Sequence, residues 1–383
     1  MGFLRLFLAL SVVVGHSTPL FGLQLMPPDT AVRLFFIISG FYMSLVLSGK
    51  YEGAGRVRTF YTNRLLRLFP GYLIAVVVTA AVEIAAYAHP AGYEAKAIIG
   101  EVDSALRGSG GTLDPLSLAF MAIPNLFLFG SDLVFLFHRV PDLGWMLTLG
   151  LDPGIPNATR MGGYLLIAPA WSIGMELWFY LLIPFLVRWR IAALATLMTA
   201  SLALHAWMDV HAAWSAYFFF PANLGFFLAG TIGHKLWTAT RAGATVPRAA
   251  IVALGAATLA VLVLREFIPF YRNYSALIAL SAALGIPFVF AWSKSSSWDR
   301  ALGNLSYPVY LFHAAVLAFA DNFLHTQASW IVIAITLAIA LAVSRLVEEP
   351  LERYRARRAA AVRAMPVPPL VPSARIDPWM SRS

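Results

Sequence analysis

Apolar residues in this chain gather into long runs separated by short polar breaks, and the runs have the length of bilayer crossings. A helix needs about 20 mostly apolar residues to cross the hydrocarbon core, with a working range of about 17–25. Ten segments meet that measure: 3–22, 31–48, 70–88, 171–187, 190–207, 214–234, 249–264, 274–292, 304–323 and 329–346. An eleventh run, 116–137, is interrupted by Pro124, Asn125 and Asp132 and bracketed by polar loops. The pattern predicts an all-α polytopic membrane protein of about ten transmembrane helices. Residues 1–350 form its single membrane domain. Residues 351–383, with Arg353, Arg355, Arg357 and Arg358 and no apolar period, are expected to be a disordered basic tail.

Basic residues choose the topology, because Lys and Arg concentrate in cytoplasmic loops. With ten spans and the N-terminus inside, the inner segments hold Lys50, Arg56, Arg58, Arg64 and Arg67, then Arg188 and Arg190. Lys235, Arg241 and Arg248 follow, then Lys294 and Arg300, and finally Arg345 with the tail. The outer segments hold only Lys96, Arg107, Arg139, Arg160, Arg265 and Arg272. Counting 116–137 as a span would reverse that bias after residue 138. Both termini are therefore expected in the cytoplasm. Residues 89–170 are expected as one outer-face excursion, within which 116–137 is re-entrant or lies on the surface.

Composition narrows the chemistry. At 60% apolar residues, 12% charged and a mean hydropathy of +0.73, the chain carries more apolar surface than a soluble domain can hide. The net charge of +9 sits in short loops and the tail, where it sets topology and meets lipid headgroups, so nucleic acid is not expected as a partner. The chain has no Cys, which excludes disulfides, thiolate catalysis and Cys-ligated zinc. Arg5 followed by an apolar run resembles a signal peptide, but His16 interrupts the run and no small-residue cleavage site follows, so it is expected to be an uncleaved span.

Ionisable residues inside spans are costly and mark candidate sites. Arg5 and His16 lie eleven residues apart, which puts them within about 20° on one helical face and about 16 Å apart along the axis. Arg64 and Arg67 share a face at the inner rim, just before Pro70, which is expected to open the third span. Paired guanidinium groups there suit a phosphorylated ligand. Ser172, Glu176 and Tyr180 fall on one face of the fourth span, which places Glu176 in the same outer layer as His16, where it is expected to orient the imidazole. Ser306, Tyr310 and His313 form a polar stripe rising from the cytoplasm in the ninth span. Ser39 and Gly40 are expected to serve helix packing. Glu348-Glu349-Pro350 closes the tenth span, with one glutamate expected in an ion pair. Glu83 is an intramembrane acid without an assigned role, and His89, His138, His205, His211, His234 and His325 are expected to be non-catalytic.

Taken in order, these elements resemble the acyltransferase-3 family of integral membrane O-acyltransferases. The resemblance rests on Arg5 and His16, Phe35-Phe36-x-x-Ser39-Gly40-Phe41, Arg64-x-x-Arg67-Leu68-x-Pro70, Trp171-Ser172-x-x-x-Glu176, Ser306-Tyr307-x-x-Tyr310-Leu311-x-His313 and Glu349-Pro350, over residues 3–352. It implies transfer of an acyl group, commonly acetyl, from cytoplasmic acyl-CoA to a hydroxyl of a saccharide, a lipid-linked saccharide or a related surface or secreted acceptor. It also implies an inner (plasma) membrane location and no tightly bound cofactor or metal. The periplasmic esterase-like domain that many members carry is expected to be absent, so that any such partner is a separate protein.

In the expected mechanism Arg5, Arg64 and Arg67 hold the CoA phosphates at the rim, with Ser172, Ser306 and Tyr310 along the path of its pantetheine arm. His16 then acts as base or transient acyl carrier, oriented by Glu176, with Tyr307, Ser306 and His313 as candidate donors to the oxyanion. The rival is a proton-coupled transporter or flippase that uses His16, Glu176 and Glu83 as a relay.

Overall fold

A computed structural model describes residues 1–49, 56–89, 95–109, 111, 113–140, 143–148, 155, 158–212, 215–241 and 275–364. The expected span at 249–264 lies outside the described residues, as does the tail beyond 364. The chain begins with α1 (Gly2–Gly15), α2 (Pro28–Gly49) and α3 (Arg56–Tyr87). An excursion follows with α4 (Ala97–Arg107), α5 (Pro115–Phe127), β1 (Phe137–Val140), β2 (Gly144–Leu147) and β3 (Thr159–Arg160). Then come α6 (Trp171–Leu186), α7 (Ile191–His211), α8 (Ser215–Phe218), α9 (Phe220–Arg241), α10 (Ser275–Ser293), α11 (Ser297–Leu324) and α12 (Ser329–Val343). A π-helical turn, Ser344–Glu348, leads into α13 (Glu349–Ala364). Among the described residues, six helical stretches are long and apolar enough to cross a membrane, as a polytopic protein requires.

Several boundaries differ from those expected. The first helix stops at Gly15, because Pro19 disfavours helix at Thr18 and cannot donate a backbone bond itself. Pro70 lies within α3, fourteen residues past its start, rather than opening a span. The ninth helix starts at Ser297, where the Ser296 hydroxyl accepts the Asp299 N–H at 3.1 Å as an N-cap, seven residues earlier than its apolar run. Residues 351–364, expected as disordered tail, are helical. Glu349–Arg353 (3.5 Å) and Glu352–Arg355 (2.8 Å) support that helix along its own surface, and Arg358 donates to the Thr62 hydroxyl at 3.2 Å. No single helix covers 116–137.

Two parallel helix pairs set the frame. α1 runs beside α11, and the Asp299 carboxylate accepts the N–H groups of Gly2 (2.7 Å) and Phe3 (2.9 Å), which are among the first amides of α1 and have no partner within their own helix. α2 runs beside α9 at backbone contact, since a Cβ on Gly40 would overlap the Phe227 carbonyl and one on Gly230 would overlap the Ile37 carbonyl. Phe36, Phe227 and Phe179 stack across this crossing into the main core.

The excursion is folded around its own apolar cluster, which includes Ile98, Leu113, Met121, Val134, Met161 and Tyr164. Its antiparallel sheet has the order β2-β1-β3, with His138 opposite both Met146 and Arg160. Asp114 caps α5 through the Ser117 N–H (2.9 Å), and the Asn125 side chain ties α5 to the Tyr164 carbonyl and the Leu166 N–H. The Tyr72 hydroxyl of α3 donates to the Asn125 carbonyl at 2.8 Å, and Trp178 of α6 packs on Phe129, so 124–132 is wedged between two long helices.

The α2–α9 contact predicts that Gly40→Leu destabilises the protein by about 1–3 kcal/mol or more through overpacking. The midpoint of heat-induced loss of monodisperse protein in detergent should fall. Gly163→Ala, at a glycine with nothing within 4 Å, should leave that midpoint unchanged.

Candidate active site

Two cavities are stacked along the α1–α11 pair. The outer one, about 820 Å³, is lined by His16, Trp171, Tyr217, Phe218, His313 and the excursion. The inner one, about 430 Å³, is lined by Arg5, Ser39, Arg64, Arg67, Glu176 and Arg300, with Ser172, Ser306 and Tyr307. Both volumes suit small-molecule sites. Tyr310 and Val32 line both cavities and form the wall between them.

At the outer cavity His16, the residue that ends α1, meets His313 of α11 with Nδ1 and Nε2 at 3.0 Å and rings within 13° of parallel. His313 Nδ1 lies 2.7 Å from the Tyr310 carbonyl oxygen. A carbonyl only accepts, so His313 Nδ1 carries its proton and Nε2 is the acceptor. His16 Nδ1–H then donates to that Nε2, which leaves His16 Nε2 as the unprotonated nitrogen of the pair. His313 is fully buried and His16 is exposed. Two rings and a main-chain carbonyl thus set one lone pair at the cavity.

Glu176 does not orient His16. Its Oε1 accepts the Ser39 and Tyr180 hydroxyls, each at 2.6 Å, and it belongs to the inner cavity with Arg5. Depth along the membrane alone suggested the pairing, but on α6 Glu176 turns toward α2. His313 takes the expected place, because α11 starts early and lifts His313 about 24 Å above its inner end.

Tyr307 does not line the outer cavity with His16. It lines the inner cavity, its hydroxyl donates to the Leu68 carbonyl at 2.7 Å, and its ring lies under the Arg67 guanidinium at 5.5 Å. The Ser306 hydroxyl donates to the Gly303 carbonyl at 2.7 Å, so it lines the inner wall but has no free proton.

The remaining expected ligands do gather. Arg5, Arg64 and Arg67 share the inner cavity, though differently engaged. Arg67 is ion-paired with the buried Glu348 at 3.1 Å, and Arg64 lies over the Phe60 and Tyr180 rings at 5.8 and 5.9 Å. Arg5 forms no ion pair among the described residues. Arg300, which its sequence position marked only as a topological charge, joins it, likewise with no ion pair among the described residues. Ser39 was hidden by its glycine neighbour, since a Ser-Gly pair inside an apolar helix reads as packing. At the wall, the Ser172 and Tyr310 hydroxyls are hydrogen-bonded at 2.7 Å, and both lie near the Pro169 carbonyl, at 3.1 and 3.0 Å. The arrangement offers an arginine-rich inner pocket, a neutral hydroxyl wall and a histidine pair at the outer cavity.

The family model described as an acyltransferase domain, that of acyltransferase-3, matches residues 1–348. Protein 2 in the picA locus of Rhizobium radiobacter is 30% identical over 173 residues, which span 44% of this chain and 71% of that protein. No solved structure matches the chain. A match over nearly the whole described chain, on a helical fold with membrane-length helices, places this protein in the acyltransferase-3 family as a multi-pass membrane acyltransferase.

Proposed function

We propose that the protein moves an acyl group, acetyl being the simplest, from cytoplasmic acyl-CoA to a hydroxyl of a saccharide or related acceptor at the outer cavity. The observation that carries this reading is the His16–His313–Tyr310 carbonyl chain at the outer cavity, whose contacts assign the free lone pair to His16 Nε2, while Arg5 and Arg300, with no ion pair among the described residues, line the inner one. Arg5 and Arg300, with Arg64 and Arg67, hold the phosphates of the donor, because guanidinium groups bind phosphate in a bidentate fork. The pantetheine arm extends along the inner cavity toward Tyr310 and Ser172 and brings the thioester to the wall. The acceptor hydroxyl gives its proton to His16 Nε2 as its oxygen adds to the thioester carbonyl carbon. The tetrahedral intermediate collapses with cleavage of the C–S bond, and the departing thiolate takes the proton back. His313 steadies the imidazolium through Nε2. The relay rival has no support in the family, which is one of acyltransferases.

The topology follows the same logic. α2 and α9 run in the same direction, with Gly40 beside Phe227 and the Ser44 hydroxyl hydrogen-bonded to His234. Three membrane-length helices, α3, α6 and α7, separate them in sequence. That parity supports an excursion that returns to the face it left, with 116–137 re-entrant. The arginine-rich inner cavity then opens toward the cytoplasm of an inner membrane and the termini lie on that side.

Transfer of radiolabelled acetyl from acetyl-CoA in membrane vesicles tests the chemistry. His16→Ala should lower kcat by about 10²–10⁴, the usual contribution of a general base. Glu176→Gln and Arg300→Ala should instead raise KM for acetyl-CoA and leave kcat within a few-fold. Normal turnover in well-expressed His16→Ala overturns the assignment. Because the chain has no native Cys, single cysteines report sidedness without background. Ser109→Cys should react with an impermeant maleimide only from the outer face, and Ser295→Cys only from the cytoplasmic face.

A further inference from the structure

We infer that the acceptor taken by the outer cavity is a neutral or amine-bearing saccharide and that Glu83 is its recognition residue. This rests on the proposed activity and names the substrate class of the same site. Glu83 stands near the outer end of α3, is only 3% exposed, and lines the outer cavity. Its Oε2 accepts the Lys96 N–H at 2.8 Å. No hydrogen bond reaches Oε1 among the described residues, and that atom is not sealed from solvent. A carboxylate buried but for one oxygen at the cavity is placed to receive a donor from whatever displaces water there, since that oxygen would otherwise lose its solvent partner.

The rest of the lining agrees in sign and shape. Two more carboxylates face the cavity: Asp29, paired with Arg33 at 3.2 Å, and Asp321, which accepts the Gln327 side-chain N–H at 3.0 Å. Lys96 is the one Lys or Arg side chain among the described lining residues. A ligand that carries carboxylate, sulfate or phosphate groups would meet like charge in a partly desolvated space. A ligand rich in hydroxyl or ammonium donors would meet acceptors. Trp171 and Tyr217, their ring centroids 4.5 Å apart, add aromatic surface beside His16 and His313, where the apolar face of a sugar ring can pack. The inner cavity has the opposite bias, so each end of the site selects one substrate by charge.

The test uses the full-length protein in detergent and three disaccharides of equal size: maltose, a glucosamine disaccharide and a disaccharide containing glucuronic acid. Binding is read by calorimetry, so it does not depend on turnover, and transfer from acetyl-CoA is measured in parallel. The expected result is measurable binding of the neutral and amine-bearing probes and at least tenfold weaker binding of the acidic one. Glu83→Gln should weaken the glucosamine probe at least tenfold, the scale of a lost charge-assisted hydrogen bond, and leave acetyl-CoA affinity unchanged. Unchanged acetyl-CoA affinity also shows that the variant is folded. Equal or better binding of the acidic probe, unchanged binding in Glu83→Gln, or no binding of any probe overturns the inference. Binding with this selectivity but without acetyl transfer would leave the inference standing and overturn the proposed activity.

Discussion

The site depends on the register of α1 against α11. At the inner end the Asp299 carboxylate holds the first amides of α1, where the positive end of the helix dipole favours an anion. At the outer end His16 meets His313. Gly2 to His16 and Asp299 to His313 are each fourteen residues, four turns of helix or about 21 Å. A parallel pair with equal arms keeps the two contacts on the same side. A slip of one residue in either helix would turn a histidine by about 100° and break the ring contact. The height of Arg5 and His16 is therefore set in part by the Asp299 contact, which contains neither of them.

Separation of charge follows from that frame. Arginines outnumber carboxylates in the lining below the wall, carboxylates outnumber the one lysine above it, and Tyr310 belongs to both sides. Two hydroxyl groups, of Ser172 and Tyr310, share the Pro169 carbonyl. They supply two protons to three short oxygen contacts, so one contact always lacks a proton. Either hydroxyl can be the donor between them, so the wall admits two donor arrangements.

Much of this was legible from hydropathy, and the misses have a common cause. Helix existence followed from apolar runs, because burial in lipid demands them. Helix ends did not, wherever a helix continues past the membrane. The first turns of α3 and α11 and all of α13 carry charges that hydropathy scores as loop, although caps and ion pairs hold them helical. The early start of α11 puts His313 higher than its apolar run implies, and the turn of Glu176 toward Ser39 of α2 cannot be read from depth. Arg64 and Arg67 share a face by their spacing alone, since a pair three apart on a helix needs no tertiary knowledge, whereas Arg5 joins them only because its helix is placed beside theirs at the inner cavity. Arg300 and Ser39 needed it. One resembles a topological charge and the other a packing residue until neighbouring helices are placed.

The Tyr310 carbonyl oxygen, at the end of the His16–His313 chain, has a wider consequence. An imidazole pair that ended in water or a carboxylate could hand a proton onward. A main-chain carbonyl accepts a hydrogen bond but, in this range of acidity, not the proton itself. A charge that enters at His16 can spread over two rings and go no further, so the conduit is blind. In the proposed mechanism a proton taken at His16 would therefore leave by the opening through which it came. Acid–base chemistry placed on such a pair could run inside a membrane protein without a proton path across it.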